Sequence, residues 1–149
     1  MKLVAPINSI LKQKSREVWS INPEATVYDA VEMLAEKGIG ALLVMAEGKL
    51  VGVLSERDYA RKVILKGKSS RETKVNEIMT SPVIFVGPQD TVDKCMALMT
   101  GKRIRHLPVV ENNKVMAMLS IGDVVKWIIS EQAETIQQLE NYITGKYPG

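Results

Sequence analysis

Apolar and polar positions follow one pattern along this chain, and the pattern occurs twice. Residues 18–64 align with residues 83–129 without a gap at a constant offset of 65. The alignment pairs Pro23 with Pro88, Thr26 with Thr91, Ile39 with Ile104, Lys49 with Lys114, Ser55 with Ser120 and Asp58 with Asp123. A repeat of this length in register reports the architecture of the chain. Each copy predicts a short strand (Val18–Ile21; Val83–Val86), a Pro turn, and a helix capped by Thr26 or Thr91. The helices carry apolar residues at helical spacing: Val27, Ala30, Val31 and Leu34 in one, Val92, Cys95, Met96 and Met99 in the other. Gly38 predicts the stop of the first. A buried apolar strand follows (Ala41–Met45; Leu107–Val110). After a turn at Glu47-Gly48 or Asn112-Asn113 comes a second strand (Leu50–Leu54; Val115–Leu119) and then a closing helix (Glu56–Ile64; Ile121–Ile129).

The order β-α-β-β-α, taken twice, predicts an α/β (α+β) fold. Neither copy alone covers both faces of its sheet, so two pseudo-symmetric repeats are expected to pack sheet to sheet. The expected organisation is a first repeat over 7–66, a polar linker over 67–78, a second repeat over 79–130, and a C-terminal helix and tail over 131–149. That last segment is polar apart from a thin stripe of Ile136, Leu139 and Ile143, which suits docking on a partner subunit or back on the domain.

Composition narrows the function classes. The 149 residues are 46% hydrophobic, enough for a core. Basic residues number 20 against 17 acidic and are scattered, which argues against nucleic acid as the main partner. Lys66, Lys68, Arg71 and Lys74 read as a solvated loop. No apolar run approaches the roughly 20 residues of a membrane span, and the N-terminus lacks a signal-peptide pattern, so a soluble cytoplasmic protein is expected. Cys95 is the only cysteine and His106 the only histidine. This excludes an intramolecular disulfide and metal clusters built on several of either. Cys95 reads as a small apolar residue on a helix face, and His106 as either a hydrogen-bonding link between strands or a phosphate contact. Met33, Met45, Met96, Met99 and Met118 read as core, and Trp127 as part of an apolar helix stripe with Val124 and Ile128. No pair of carboxylates has a spacing that suggests acid–base chemistry. An enzyme is not expected.

The chemistry that remains lies in "GVLSERD" (52–58) and "AMLSIGD" (117–123). Ser-x-x-Asp at a helix start is close to a capping box, in which hydroxyl and carboxylate each satisfy a backbone N–H. Thr26-Val-Tyr-Asp29 has the same shape and only caps. The pairs Ser55/Asp58 and Ser120/Asp123 differ because each stands where an apolar strand hands over to a helix. A helix N-terminus there favours a phosphate, and an aspartate one turn on can accept from both hydroxyls of a ribose.

The doubled unit, "GALLV" against "RHLPVV" and "GVLSERD" against "AMLSIGD" together resemble a tandem pair of cystathionine-β-synthase (CBS) domains, the Bateman module. The likeness covers about residues 7 to 130, and the short chain resembles the stand-alone bacterial proteins of two such domains. It implies two pseudo-symmetric clefts for adenosine-containing ligands: AMP, ADP, ATP, NAD or S-adenosylmethionine. Asp58 and Asp123 would then take the riboses, with Ser55 and Ser120 near ribose and phosphate. Trp19, Ser20, Gly40 and Ala41 would wall the Asp123 site, and Thr80, Ile84 and Phe85 the Asp58 site. Arg57, Arg105 and His106 resemble the basic residues that reach phosphates. Ala117 stands where the second signature often has Gly, narrowing that site. Gly40-Ala41 stands opposite Arg105-His106, so the clefts are expected to differ.

The resemblance implies a non-enzymatic sensor of adenine nucleotides that biases contact with an unknown target protein, without a catalytic cofactor. It also implies a homodimer with the closing helices at or near the interface. The alternatives are a ligand-free homodimerisation scaffold and a nucleic-acid-binding module.

Overall fold

The computed structural model of the chain describes residues 4–14 and 17–144. The end of the C-terminal tail, beyond 144, lies outside the described residues. In chain order the elements are α1 (Asn8–Leu11), β1 (Ser20–Ile21), α2 (Val27–Lys37), β2 (Ala41–Ala46), β3 (Lys49–Ser55) and α3 (Glu56–Tyr59), which continues as a π-helical turn over Ala60–Ile64. A 3-10 turn at Val75–Glu77 precedes α4 (Val92–Gly101), β4 (His106–Glu111), β5 (Lys114–Ser120) and α5 (Ile121–Thr144). The fold is thus mixed α/β with two small sheets and a C-terminal helix.

Local chemistry sets most boundaries. Thr26 and Thr91 hold extended backbone, and their hydroxyls accept the N–H of Asp29 and of Lys94, each at 3.1 Å. Gly38 ends α2 at φ +63°, a left-handed conformation that costs glycine nothing. Both hairpins turn through paired positive φ angles, Glu47-Gly48 in one and Asn112-Asn113 in the other, which matches the right-handed twist of the strands they join.

By its contacts the chain divides into two compact units. The described residues within 16–86 and 108–118 form one, and those within 1–15, 87–107 and 119–149 the other. In the first unit β1 runs parallel to β2, and β2 pairs antiparallel with β3 across a bulge at Val44/Met45. Ile21, Val27, Ala30, Leu34, Leu42, Val44, Leu54, Val63, Val75 and Ile78 make its core. In the second unit α1, α4 and α5 pack together. Their buried residues Ile7, Ile10, Leu11, Val92, Cys95, Met99, Val124 and Trp127 are all but inaccessible to solvent.

Each unit also takes in a segment that the repeat alignment leaves outside it. Val75 and Asn76 donate to the carbonyls of Ala25 and Pro23 (2.9 and 3.0 Å), while Ile7 and Asn8 donate to those of Asp90 and Pro88 (2.8 and 2.9 Å). The stretches Ile7-Asn8-Ser9-Ile10 and Val75-Asn76-Glu77-Ile78 therefore do the same work, each bracing the turn before a capped helix.

Three expectations need correction. Val83–Val86 is not a strand; only Val86 bridges Val109. The cause is Pro108. Leu43 donates its N–H to Trp19 O at 3.1 Å in the first copy, and proline at the corresponding position has no N–H to give. Second, the closing helix Ile121–Ile129 does not stop: α5 runs on to Thr144 because 130–144 contains neither Gly nor Pro. Third, of the five methionines assigned to the core only Met99 is buried; Met33 is half-buried and packs against the first unit's core, and Met45, Met96 and Met118 are half-buried. Ala117 is fully buried, so its methyl belongs to the interior. Cys95 is likewise buried, and desolvation pushes its thiol up to about 11, as suits an inert packing residue.

Gly52 in β3 has no room for a side chain. A Cβ there would lie 2.5 Å from Met79 Sδ and 2.9 Å from its Cγ. Gly52→Ala is expected to cost about 1–3 kcal/mol by overpacking, and Met79→Ala to recover part of that loss in the double variant. Urea unfolding of the four proteins measures the coupling, and strict additivity would show that the two side chains do not compete for space.

Candidate functional site

The two Ser-x-x-Asp signatures build the same junction. The first helical N–H, of Glu56 or of Ile121, donates to the carbonyl at the start of the neighbouring strand: to Gly40 O at 3.0 Å and to Arg105 O at 2.8 Å. The third, of Asp58 or of Asp123, donates to the serine hydroxyl at 3.2 or 3.1 Å. In return the serine N–H donates to the aspartate Oδ2, at 2.9 Å for Ser55 and 2.8 Å for Ser120. These are complete capping boxes. The expected supply of unpaired N–H groups at these helix starts is met only in part, because the caps and strand carbonyls use two of the first three.

What the cap leaves is the other carboxylate oxygen. A carboxylate has acceptor capacity for about four hydrogen bonds. At the first junction Oδ1 of Asp58 accepts from Thr80 Oγ1 at 3.3 Å and meets Lys62 Nζ at 3.2 Å. Lys62 also donates to Ile78 O at 2.9 Å, which anchors it. At the second junction Lys14 Nζ lies 2.9 Å from Asp123 Oδ2, the oxygen the cap already uses. Oδ1 of Asp123 has no partner among the described residues. Both carboxylates are largely covered, at 13% and 23% side-chain exposure. The two junctions thus differ in which oxygen carries the lysine.

Burial alone would raise the Asp123 carboxyl. The Ser120 backbone N–H and the Lys14 ammonium more than offset that, and hold it below the usual carboxylate range.

Ser55, Arg57, Asp58, Thr80, Ile84 and Phe85 all fall in the first unit, where hydrogen bonds join Ser55, Asp58 and Thr80. Phe85 is 55% exposed, unusual for the chain's only phenylalanine. Arg57 and Ile84 are half-buried. Trp19, Ser20, Gly40 and Ala41 lie in that unit too, with Lys37 Nζ 4.0 Å above the Trp19 ring. Ser120 and Asp123 belong to the second unit, as do Arg105, which is exposed, and His106, which is half-buried at the start of β4. Lys14 and Lys62 are absent from the residues that sequence reasoning selected. Lys62 stands four residues after Asp58, a spacing that signals a helical ion pair. Lys14 is 109 residues from Asp123, and no local pattern announces it. Among the described residues no cluster of His, Cys, Asp or Glu could hold a metal ion, and no helix is long and apolar enough to cross a membrane.

Known proteins share this fold. A family model described as CBS domain matches residues 10–65 and again 75–130. The mitochondrial CBS domain-containing protein CBSX3 of Arabidopsis thaliana is 41% identical over 151 aligned positions, covering 95% of this chain and 73% of that one. Among solved structures, a putative signal-transduction protein with CBS domains from Burkholderia ambifaria superposes with a TM-score of 0.83 at 47% identity, over 86% of this chain and 96% of that one. The CBS domain pair of protein MJ0100, in complex with 5′-methylthioadenosine and S-adenosyl-L-methionine, superposes with a TM-score of 0.73 at 25% identity, over 83% and 99%.

The depressed Asp123 carboxyl carries a pH dependence of known sign. Its contribution to stability is complete above the unfolded value of about 3.9 and is lost as pH falls through the lower folded value. Lys14→Met removes one of the interactions that lower it. The variant should therefore lose less stability than the parent between about pH 5 and about pH 2, read from urea midpoints at each pH. Equal losses would show that Lys14 is not coupled to this carboxylate in solution.

Proposed function

Since the chain belongs to the CBS-domain family, a family of regulatory ligand-binding modules, we propose that it is a non-enzymatic sensor of an adenosine-containing ligand such as AMP, ADP, ATP, NAD or S-adenosylmethionine. Asp58 and Asp123 each accept the two hydroxyls of a ribose; Ser55 and Ser120 lie beside them. Arg57, Arg105 and His106 reach the phosphates or other polar tail. Thr80, Ile84 and Phe85 line the first site. Occupancy biases the contact of this protein with a target protein.

The observation that carries this reading is the division of labour within the Asp123 carboxylate. Oδ2 is held by the Ser120 N–H, so the cap presets the carboxylate, while Oδ1 has no partner among the described residues. A preset acceptor costs little ordering when a diol arrives. The adenosine ligands of the MJ0100 pair support the ligand class.

The complete capping boxes equally favour a second reading, a dimerising scaffold whose Ser-x-x-Asp pairs do nothing but cap helices. Substitution to asparagine separates the two, because it keeps one acceptor for the cap and removes the charge and one acceptor offered to a ribose. Titration calorimetry of AMP, ATP, NAD and S-adenosylmethionine is expected to show binding by at least one. The Asp58→Asn/Asp123→Asn variant should weaken that binding at least about tenfold, with a stability loss limited to the Lys14 and Lys62 ion pairs and the charge on the caps. No heat with any of the four ligands would favour the scaffold.

A further inference from the structure

A glycine inside a strand marks the close approach of another group. At Gly52 that group is a thioether: Met79 Sδ lies 2.5 Å from where a Gly52 Cβ would stand. The sulfur fills a notch in β3 that has no room for a methyl group. On both sides of it the chain is fixed to the first junction. Thr80 and Val53 exchange both backbone hydrogen bonds, at 2.8 and 3.1 Å, and Thr80 Oγ1 donates to Asp58 Oδ1 at 3.3 Å. Ile78 O accepts from Lys62 Nζ at 2.9 Å, and the same ammonium lies 3.2 Å from that Oδ1. The Met79 side chain therefore sits between the two residues whose contacts keep Asp58 Oδ1 engaged. It is half-buried beside the exposed Thr80, within reach of a small solute.

We propose that Met79 is a modification site: a peroxide oxidises its thioether to the sulfoxide, and the added oxygen expels the side chain from the notch and releases residues 78–80 from β3. The sulfur attacks one peroxide oxygen, so that an S–O bond forms as the O–O bond breaks. The transferred oxygen passes its proton to the departing one, which leaves as water when the oxidant is hydrogen peroxide. Sulfur loses two electrons and the peroxide gains them. The product is polar and larger than the group that fitted, and oxidation of this kind disrupts packed methionines. The N–H groups of Val53 and Thr80 are spent on each other, so they cannot satisfy the new acceptor while the segment stays paired. Release of Thr80 and of Ile78 O then frees Asp58 Oδ1 from one donor and unanchors the other. The second copy has Leu11 and Ala117 at the positions corresponding to Met79 and Gly52, so it offers neither the sulfur nor the glycine. Peroxide thus acts on one junction of the two.

This inference does not rest on the nucleotide reading, and its test needs no ligand. Peptide mapping by mass spectrometry after mild hydrogen peroxide should find one added oxygen at Met79 in the folded protein. Amide hydrogen exchange of Val53 and Thr80 should then be at least about tenfold faster, and a methionine sulfoxide reductase should restore it. Met79→Leu puts the residue of the second copy at this position; its Val53 and Thr80 amides should not respond to peroxide, even where other half-buried methionines take up oxygen. Met79→Gln, polar and of similar length, should show the faster exchange without any oxidant. In the parent protein the acceleration should follow the oxygen at Met79 in time, a comparison that needs no variant to fold. An unmodified Met79, unchanged exchange once it is oxidised, or an equal response in Met79→Leu would each overturn the proposal.

Discussion

The hydrogen bond from the first N–H of a closing helix to the carbonyl that begins the neighbouring strand, Glu56 to Gly40 and Ile121 to Arg105, ties strand order to helix direction. It makes the helix start where β3 or β5 ends, and it brings the serine and aspartate of each signature to the edge of a sheet. The capping box then closes around the same turn. A cap of this kind is worth about 1 kcal/mol, so its larger consequence is geometric: the carboxylate is held by one oxygen before any ligand is present. Structure and candidate function are carried by the same carboxylate.

Around that shared junction the copies diverge through single residues. Pro108 has no N–H where Leu43 has one, and the strand that pairs in the first copy shrinks to a bridge in the second. Lys62 reaches its carboxylate from the next helical turn, whereas Lys14 comes from the other end of the chain. Oδ1 of Asp58 is therefore engaged by Thr80 and Lys62, and Oδ1 of Asp123 has no partner among the described residues. The two junctions, built on one repeated sequence, are electrostatically distinct.

The closing helices diverge too. Glu56–Tyr59 passes into a π-helical turn and ends before the polar stretch that follows, while α5 continues for 24 residues. The extension carries an apolar row that its own unit leaves uncovered. Ile136, Leu139 and Ile143 stay 56% to 82% exposed along it.

The duplication, the order of elements, the threonine caps, the glycine stop and both hairpin turns could be read from the chain, because each depends on residues within a few positions of one another or on a repeat that keeps its register. The Ser-x-x-Asp pairs were legible as well, although sequence alone could not say that both are complete capping boxes. The bracing segments were missed because Ile7-Asn8 and Val75-Asn76 stand 68 residues apart rather than 65, outside the ungapped repeat. The lost strand required knowing which N–H faces Trp19 and its counterpart. Lys14 at Asp123, Met79 against Gly52 and the uncovered face of α5 were decided by tertiary structure alone. Local hydrogen-bond chemistry is written in neighbouring residues, whereas contacts between distant ones exist only after the backbone has brought them together.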